Sequence, residues 1–167
     1  MLHIIQVESD EQRQTARMLL SEYLNWVASN VQRAENERFD AAGLLTEAMR
    51  ADGKFVPPSG RMLLAWVDDA PAGVICLRKL DADIGEIKRM YLRPEFRGKG
   101  LGRLLLERLC AEARQIGYTK LRLDSTPFMT SAHALYHSVG FRDIEPYSES
   151  GTLPEFAKGW LFMELTL

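Results

Sequence analysis

The chain has 167 residues, of which 46% are apolar and 26% charged, and its formal net charge is -2. That length suits a single domain over residues 1–167 with a substantial core, and the balance excludes a disordered or fibrous chain. The near-neutral charge supplies no global field for nucleic acid or anionic lipid, so neither is an expected partner.

Residues 4–7 are read as a strand. Ser9 or Asp10 can cap a helix running to about residue 29, with Leu19, Leu20, Tyr23, Leu24 and Val27 at helical spacing. A second helix is predicted over residues 37–49. Residues 51–60 hold two prolines and two glycines and read as a loop. Strands follow at 61–67 and 72–80, joined by the turn Asp68-Asp69-Ala70-Pro71. Residues 86–92 form the next strand. A glycine-rich loop leads from it into a helix that reaches about residue 115 and stops at Gly117. Leu105, Leu106, Leu109, Ala113 and Ile116 share one side of that helix, and Arg103, Glu107 and Arg114 the other. Residues 120–124 alternate as a strand. Thr130 or Ser131 opens another helix that ends before Gly140, and strands at 141–144 and 160–165 close the order. Three hairpin-spaced strands exclude a purely parallel sheet, while the strand–helix–strand unit over 86–124 requires a parallel crossover. The expected class is α/β (α+β): a mixed, mostly antiparallel sheet of about seven strands with helices on both faces.

The two cysteines, Cys76 and Cys110, read as small buried hydrophobes in a reducing compartment, with no metal-ligand set around them. Met1-Leu2-His3-Ile4-Ile5 runs straight into polar residues, unlike a signal peptide, and no apolar run reaches membrane-spanning length. The expectation is a cytoplasmic protein with no metal and no membrane association. A homodimer is carried as an expectation, although no residue argues for it.

The most informative segment is the one around Arg97-Gly98-Lys99-Gly100-Leu101-Gly102-Arg103. A strand feeds it, and a helix begins at once behind it. A helix start leaves N–H groups without intrahelical acceptors and carries partial positive charge, which makes it a phosphate site. Neither common nucleotide fingerprint fits: Lys99 is followed by Gly100 rather than Ser or Thr, and Gly-x-Gly-x-x-Gly fails at Arg103 and again at Leu105. Of the nearby basic residues Lys88, Arg89, Arg93, Arg97, Lys99 and Arg103, those that border the glycines (Arg97, Lys99 and Arg103) are favoured as phosphate contacts.

What does fit is Arg/Gln-x-x-Gly-x-Gly/Ala, filled by Arg97, Gly100 and Gly102. Together with Leu135-Tyr136 near a helix end and then Gly140-Phe141, the chain resembles the GNAT N-acetyltransferase superfamily. The resemblance implies acetyl-coenzyme A as cosubstrate, with its pyrophosphate on residues 97–103, and a sheet splayed between its fourth and fifth strands to admit it. It implies that Met90, Tyr91 and Leu92 offer backbone groups to the thioester and pantetheine. It also implies that Tyr136 aims its hydroxyl at the sulfur, and that a glutamate placed like Glu86 deprotonates the amine directly or through water. Where the family often has an asparagine this chain has Met129, and Ser131 or Thr126 is the expected substitute.

The chemistry asks for these parts. The amine must lose a proton before it attacks, the carbonyl oxygen needs donors as charge develops, and the departing thiolate needs a donor. An alternative for Glu86 is a surface carboxylate paired with Lys88. His133 and His137 read as packed or solvated rather than catalytic. Acceptor recognition is expected from Trp26, Phe39, Phe55, Tyr147 and Phe156, with Glu35, Glu37, Asp40 and Asp124 as attractors of a cationic amine. The functional expectation is transfer of an acetyl group to a primary amine, on a small molecule rather than a protein, by direct attack in a ternary complex. The alternative is a non-catalytic acyl-coenzyme A binding or regulatory module.

Overall fold

Each strand of this chain takes its place in the sheet according to the faces it must bury. The computed structural model describes residues 1–35, 51–151 and 159–167. Their order is β1 (Leu2–Gln6), α1 (Asp10–Glu35), β2 (Arg61–Val67), β3 (Ala70–Lys79), β4 (Ile84–Leu92), α2 (Leu101–Ile116), β5 (Lys120–Ser125), α3 (Thr130–Val139), β6 (Arg142–Ile144) and β7 (Leu161–Thr166). The strands form one seven-stranded sheet in the order β1-β2-β3-β4-β5-β7-β6. Neighbours are antiparallel except β4 with β5, which run parallel across the α2 crossover. This is the expected mixed, mostly antiparallel sheet. The helix expected over residues 37–49 lies outside the described residues. No described helix is long and apolar enough to cross a membrane.

Two cores sandwich the sheet. Leu63, Ile75, Leu77, Ile87, Leu121 and Leu123 point to one face and pack on Leu105, Leu106 and Leu109 of α2. Leu64, Val74 and Cys76 point to the other and pack on Leu19 and Leu20 of α1 and on Phe55. β3 is covered on both faces, which is why Val74-Ile75-Cys76-Leu77 is an unbroken apolar run. Both cysteines are buried and unbridged, and burial pushes the Cys110 thiol up to about 11.

Ser9 is the cap of α1. Its Oγ accepts from the Gln12 N–H at 3.2 Å while Gln12 Oε1 accepts from the Ser9 N–H at 3.0 Å, a reciprocal box that settles the choice between Ser9 and Asp10. The helix runs past residue 29 to Glu35. Ser29 does not end it, because its hydroxyl donates back to the Asn25 carbonyl at 2.9 Å within the helix. The β2–β3 turn is tighter than expected. Val67 pairs with Ala70, which leaves Asp68 and Asp69 as the turn, with Asp68 at φ 53°.

Leu109 is fully buried in the α2 layer. Leu109→Ala is expected to cost about 2–5 kcal/mol, read as a lower urea midpoint at unchanged slope; a loss near zero would place α2 off the core.

Candidate active site

β4 keeps β3 beside it throughout but keeps β5 only briefly. The parallel pairing covers Ile84, Gly85 and Glu86 against Lys120, Leu121 and Arg122, and stops there. Just beyond, the β3 register slips between Cys76 and Val74, and Arg89 takes a φ of 56°. This bulge bends β4 away from β5, so the sheet opens between its fourth and fifth strands as expected. Arg93 N–H donates to Ala72 of β3 at 2.9 Å. Strand alternation then turns the backbone groups of Met90 and Leu92 into the opening and those of Tyr91 toward β3. Tyr91 is nonetheless among the residues that line the opening.

The opening is a cleft of about 560 Å³. Its mouth is set between two helix starts: Gly98, Gly100, Gly102 and Arg103 at α2, and Thr130, Ser131 and Ala132 at α3. Gly98 and Gly100 hold φ of 73° and 80°, a region costly for other residues, and a Cβ at either would meet no atom within 4 Å. Their place is therefore fixed by backbone conformation, with open space in front. No N–H from Gly98 to Arg103 has an acceptor among the described residues; the first return bond is Leu104 N–H to the Gly100 carbonyl at 3.2 Å. Neither helix has a side-chain cap at this end. Two sets of uncapped N–H groups converge on one cleft, which is the arrangement a diphosphate needs.

The basic residues divide as the glycine loop implies, with one difference. Arg97 lines the cleft, its Nε donating to the Leu92 carbonyl at 2.9 Å and its guanidinium lying over the Trp26 and Tyr91 rings. Arg103 lines it too and donates to Ser138 Oγ at 2.7 Å. Lys99 reaches back to the Glu95 carbonyl at 2.9 Å and is outside the cleft wall. Leu101 turns its side chain into the core and is not part of the cleft wall. Arg93 is held by Glu22 of α1 through two bonds of 2.7 and 3.0 Å, which pins α1 to the end of β4 and holds the Glu22 carboxyl below its usual range. Arg89 lies over the Phe55 ring.

Tyr136 is buried, at 6% exposure, behind the cleft wall. Its hydroxyl donates to Met90 Sδ at 3.7 Å, and Met90 itself lines the cleft. Burial, with smaller contributions from Tyr23 and Asp124, pushes the Tyr136 hydroxyl well above the ordinary phenol value. Ser131 lines the cleft, while Thr126 leaves a buried Oγ1 with no partner among the described residues. His133 is packed, its Nε2 bonded to Ser125 Oγ at 2.9 Å, and burial lowers its pKa. His137 pairs with Asp143 at the surface.

Glu86 is not a surface carboxylate. It is 0% exposed, and Arg78 Nε pairs with Oε2 while Lys88 Nζ approaches Oε1 at 3.2 Å. Lys88 is present as expected, but it is one of two cations, and it also holds Asp124 at 2.7 Å. Asp124 is therefore engaged inside the fold rather than facing a cationic acceptor. Tyr147 donates to Glu86 Oε1 at 2.9 Å. Of the other acceptor candidates, Phe55 is core and Trp26 is cleft wall. Phe39, Phe156, Glu37, Asp40 and the Glu35 side chain lie outside the described residues.

Sequence reasoning missed Tyr23 and Phe128 as cleft walls, and Arg78 and Tyr147 as partners of Glu86. In the sequence Tyr23 is one more position of an apolar helix face. The Arg78–Glu86 contact needed the β3–β4 register, which pairs those residues directly.

Comparison with known proteins agrees with this geometry. The family model described as the Acetyltransferase (GNAT) family matches residues 22–141. An uncharacterised N-acetyltransferase of Schizosaccharomyces pombe is 33% identical over 135 residues, 78% of this chain and 77% of that one. An IAA acetyltransferase of Azospirillum brasilense is 41% identical over 83 residues, which is 50% of this chain and 52% of the relative. The structure of the PaiA N-acetyltransferase of Thermoplasma acidophilum in complex with coenzyme A shares the fold, with a TM-score of 0.71 at 21% identity over 100% of this chain and 99% of that one. A mixed sheet opened between its fourth and fifth strands over a glycine-rich helix start defines an acyl-coenzyme A-dependent transferase. The chain belongs to the GNAT acetyltransferase family and is an acetyl-coenzyme A-dependent acyltransferase.

The residues present fit that cosubstrate: the bare glycine loop, two uncapped helix starts and the inward backbone of Met90 and Leu92 form a cradle of donors. Gly100→Val places a β-branched residue at φ 80° and is expected to weaken coenzyme A binding about tenfold or more by calorimetry, with the fold retained by circular dichroism. Unchanged affinity would remove the loop from the site.

Proposed function

We propose that this chain, as a single acetyltransferase domain, moves the acetyl group of acetyl-coenzyme A to a primary amine of a small molecule by direct attack in a ternary complex. The observation that carries this reading is the parting of β4 and β5 after Glu86, which leaves inward N–H groups between the two helix starts. In this reading the amides of Gly98–Arg103 and Thr130–Ala132, with Arg97 and Arg103 at the rim, grip the diphosphate. Lys99 joins them by leaving the Glu95 carbonyl. Ser131 and the Leu92 backbone meet the pantetheine. The Met90 N–H donates to the carbonyl oxygen as charge develops there.

Tyr136 steadies the departing sulfur once its hydroxyl leaves Met90 Sδ. A thiol titrates near 8.5, and the Tyr136 hydroxyl is raised above its own ordinary value of 10.0. Full proton transfer from this phenol to a thiolate runs uphill, so the hydroxyl acts as a hydrogen-bond donor and keeps its proton. Glu86 takes the proton that the acceptor ammonium must lose. Being fully buried, it does so through an intervening group rather than by contact.

A small acceptor is favoured by the modest charge of the chain. It is also favoured by the name of the Azospirillum relative, an IAA acetyltransferase. A panel of small primary amines with acetyl-coenzyme A, read by thiol release, is expected to give at least one efficient acceptor. Tyr136→Phe is expected to lower kcat about 10- to 100-fold with coenzyme A affinity intact. Glu86→Gln is expected to lower it about 100-fold or more. Coenzyme A binding with no thiol release from any amine would overturn the catalytic reading in favour of a binding module.

A further inference from the structure

Glu86 has no surface with which to meet an acceptor, so its proton must arrive through a neighbour. Its neighbours from every packed element are Arg78 on β3, Lys88 on β4, and Tyr147 in the segment between β6 and β7. Arg122 and Asp124 of β5 lie just behind them. Arg78 is permanently charged and has no lone pair to receive a proton. Lys88 is an ammonium whose donors are directed at Asp124, at the Ser150 carbonyl at 3.0 Å and at Glu86, and it too has no acceptor while charged. Tyr147 differs. Its hydroxyl donates to Glu86 Oε1 at 2.9 Å and keeps lone pairs that can accept. Tyr147 is half-buried as a residue, whereas Glu86 is fully enclosed. The ring is fixed edge-on against Phe162 at 5.5 Å, with the Arg122 guanidinium 5.2 Å from its centre.

We propose that the Tyr147 hydroxyl is a catalytic relay that carries the acceptor's proton to Glu86. The inference rests on Glu86 being the base. The acceptor N–H bond breaks as a new O–H bond forms on Tyr147 Oη. The original Tyr147 O–H bond breaks as one forms on Glu86 Oε1. The ammonium becomes a neutral amine with its lone pair, the carboxylate becomes a carboxylic acid, and Tyr147 is restored. Burial, and next the facing Glu86 carboxylate, push the Tyr147 phenol far above its ordinary value. It therefore does not ionise alone and hands over its proton only while receiving one.

The test compares wild type, Tyr147→Phe, Glu86→Gln and the double variant. It uses acetyl-coenzyme A and the fastest amine of the panel, from pH 6 to the amine's own pKa. The relay predicts that Tyr147→Phe lowers kcat/KM for the amine about 10- to 100-fold at pH 7, with the KM for acetyl-coenzyme A and the melting temperature unchanged. The defect closes as the pH nears the amine's pKa, because the acceptor then arrives deprotonated. The double variant is no worse than Glu86→Gln, as expected of two groups acting as a unit. An amine already neutral at pH 7 gives the same contrast without a change of pH. A Tyr147→Phe defect equal at every pH, or no defect at all while Glu86→Gln is impaired, overturns the relay and leaves Glu86 standing. A fully active Glu86→Gln overturns both.

Discussion

The site depends on one constraint, that β4 cannot serve two neighbours along its whole length. It keeps β3 and releases β5 after three residue pairs. An inward N–H that is buried and unmade costs about 1–3 kcal/mol. The opening is tolerable because it forms a cleft, where water or a ligand satisfies Met90 and Leu92. The bulge at Arg89, held at φ 56°, turns the strand, and the Glu22–Arg93 pair holds α1 over the result. Both helix starts then face the gap because their strands lead directly to it. The proposed anion site is thus a consequence of topology, with side chains added at its rim.

A layer of charge lies beside the gap, on the face of the sheet that carries α1. Arg78, Lys88 and Arg122 alternate with Glu86, Asp124 and Glu164 across β3, β4, β5 and β7. Buried ions persist only when paired and hydrogen-bonded; the Glu86 and Asp124 side chains are buried while the other four keep some surface, and each of the six has an oppositely charged partner within 3.2 Å. The pairing fixes Glu86 in place and denies it direct contact with an acceptor. In the proposed mechanism the proton therefore travels through a neutral group, the phenol of Tyr147 bonded to Glu86.

Much of the frame was legible in the sequence because the signals were local. The alternation of Leu121 and Leu123 against Arg122 and Asp124 reappears as burial. The leucine face of α2 is its core face, and the glycine loop reads as an anion site from spacing alone. The parts that were missed depend on distance or on dual use. Tyr147 is 61 residues from Glu86, and nothing local links them. The Arg78–Glu86 pair follows from hairpin register, which depends on the turn. Tyr23 stands at the spacing that marks a core face, and the same spacing serves a cleft wall. The end of α1 is not marked in the sequence, because the apolar pattern fades before the helix does, with no glycine or proline to stop it.

In the proposed complex, uncapped amides at two helix starts and at β4 receive the cosubstrate. A titration of ¹⁵N-labelled protein with coenzyme A tests it directly. The largest amide shifts are expected on residues 98–103, on residues 130–132 and on Met90 and Leu92. Saturable binding that leaves those amides unmoved and perturbs another part of the surface would contradict it.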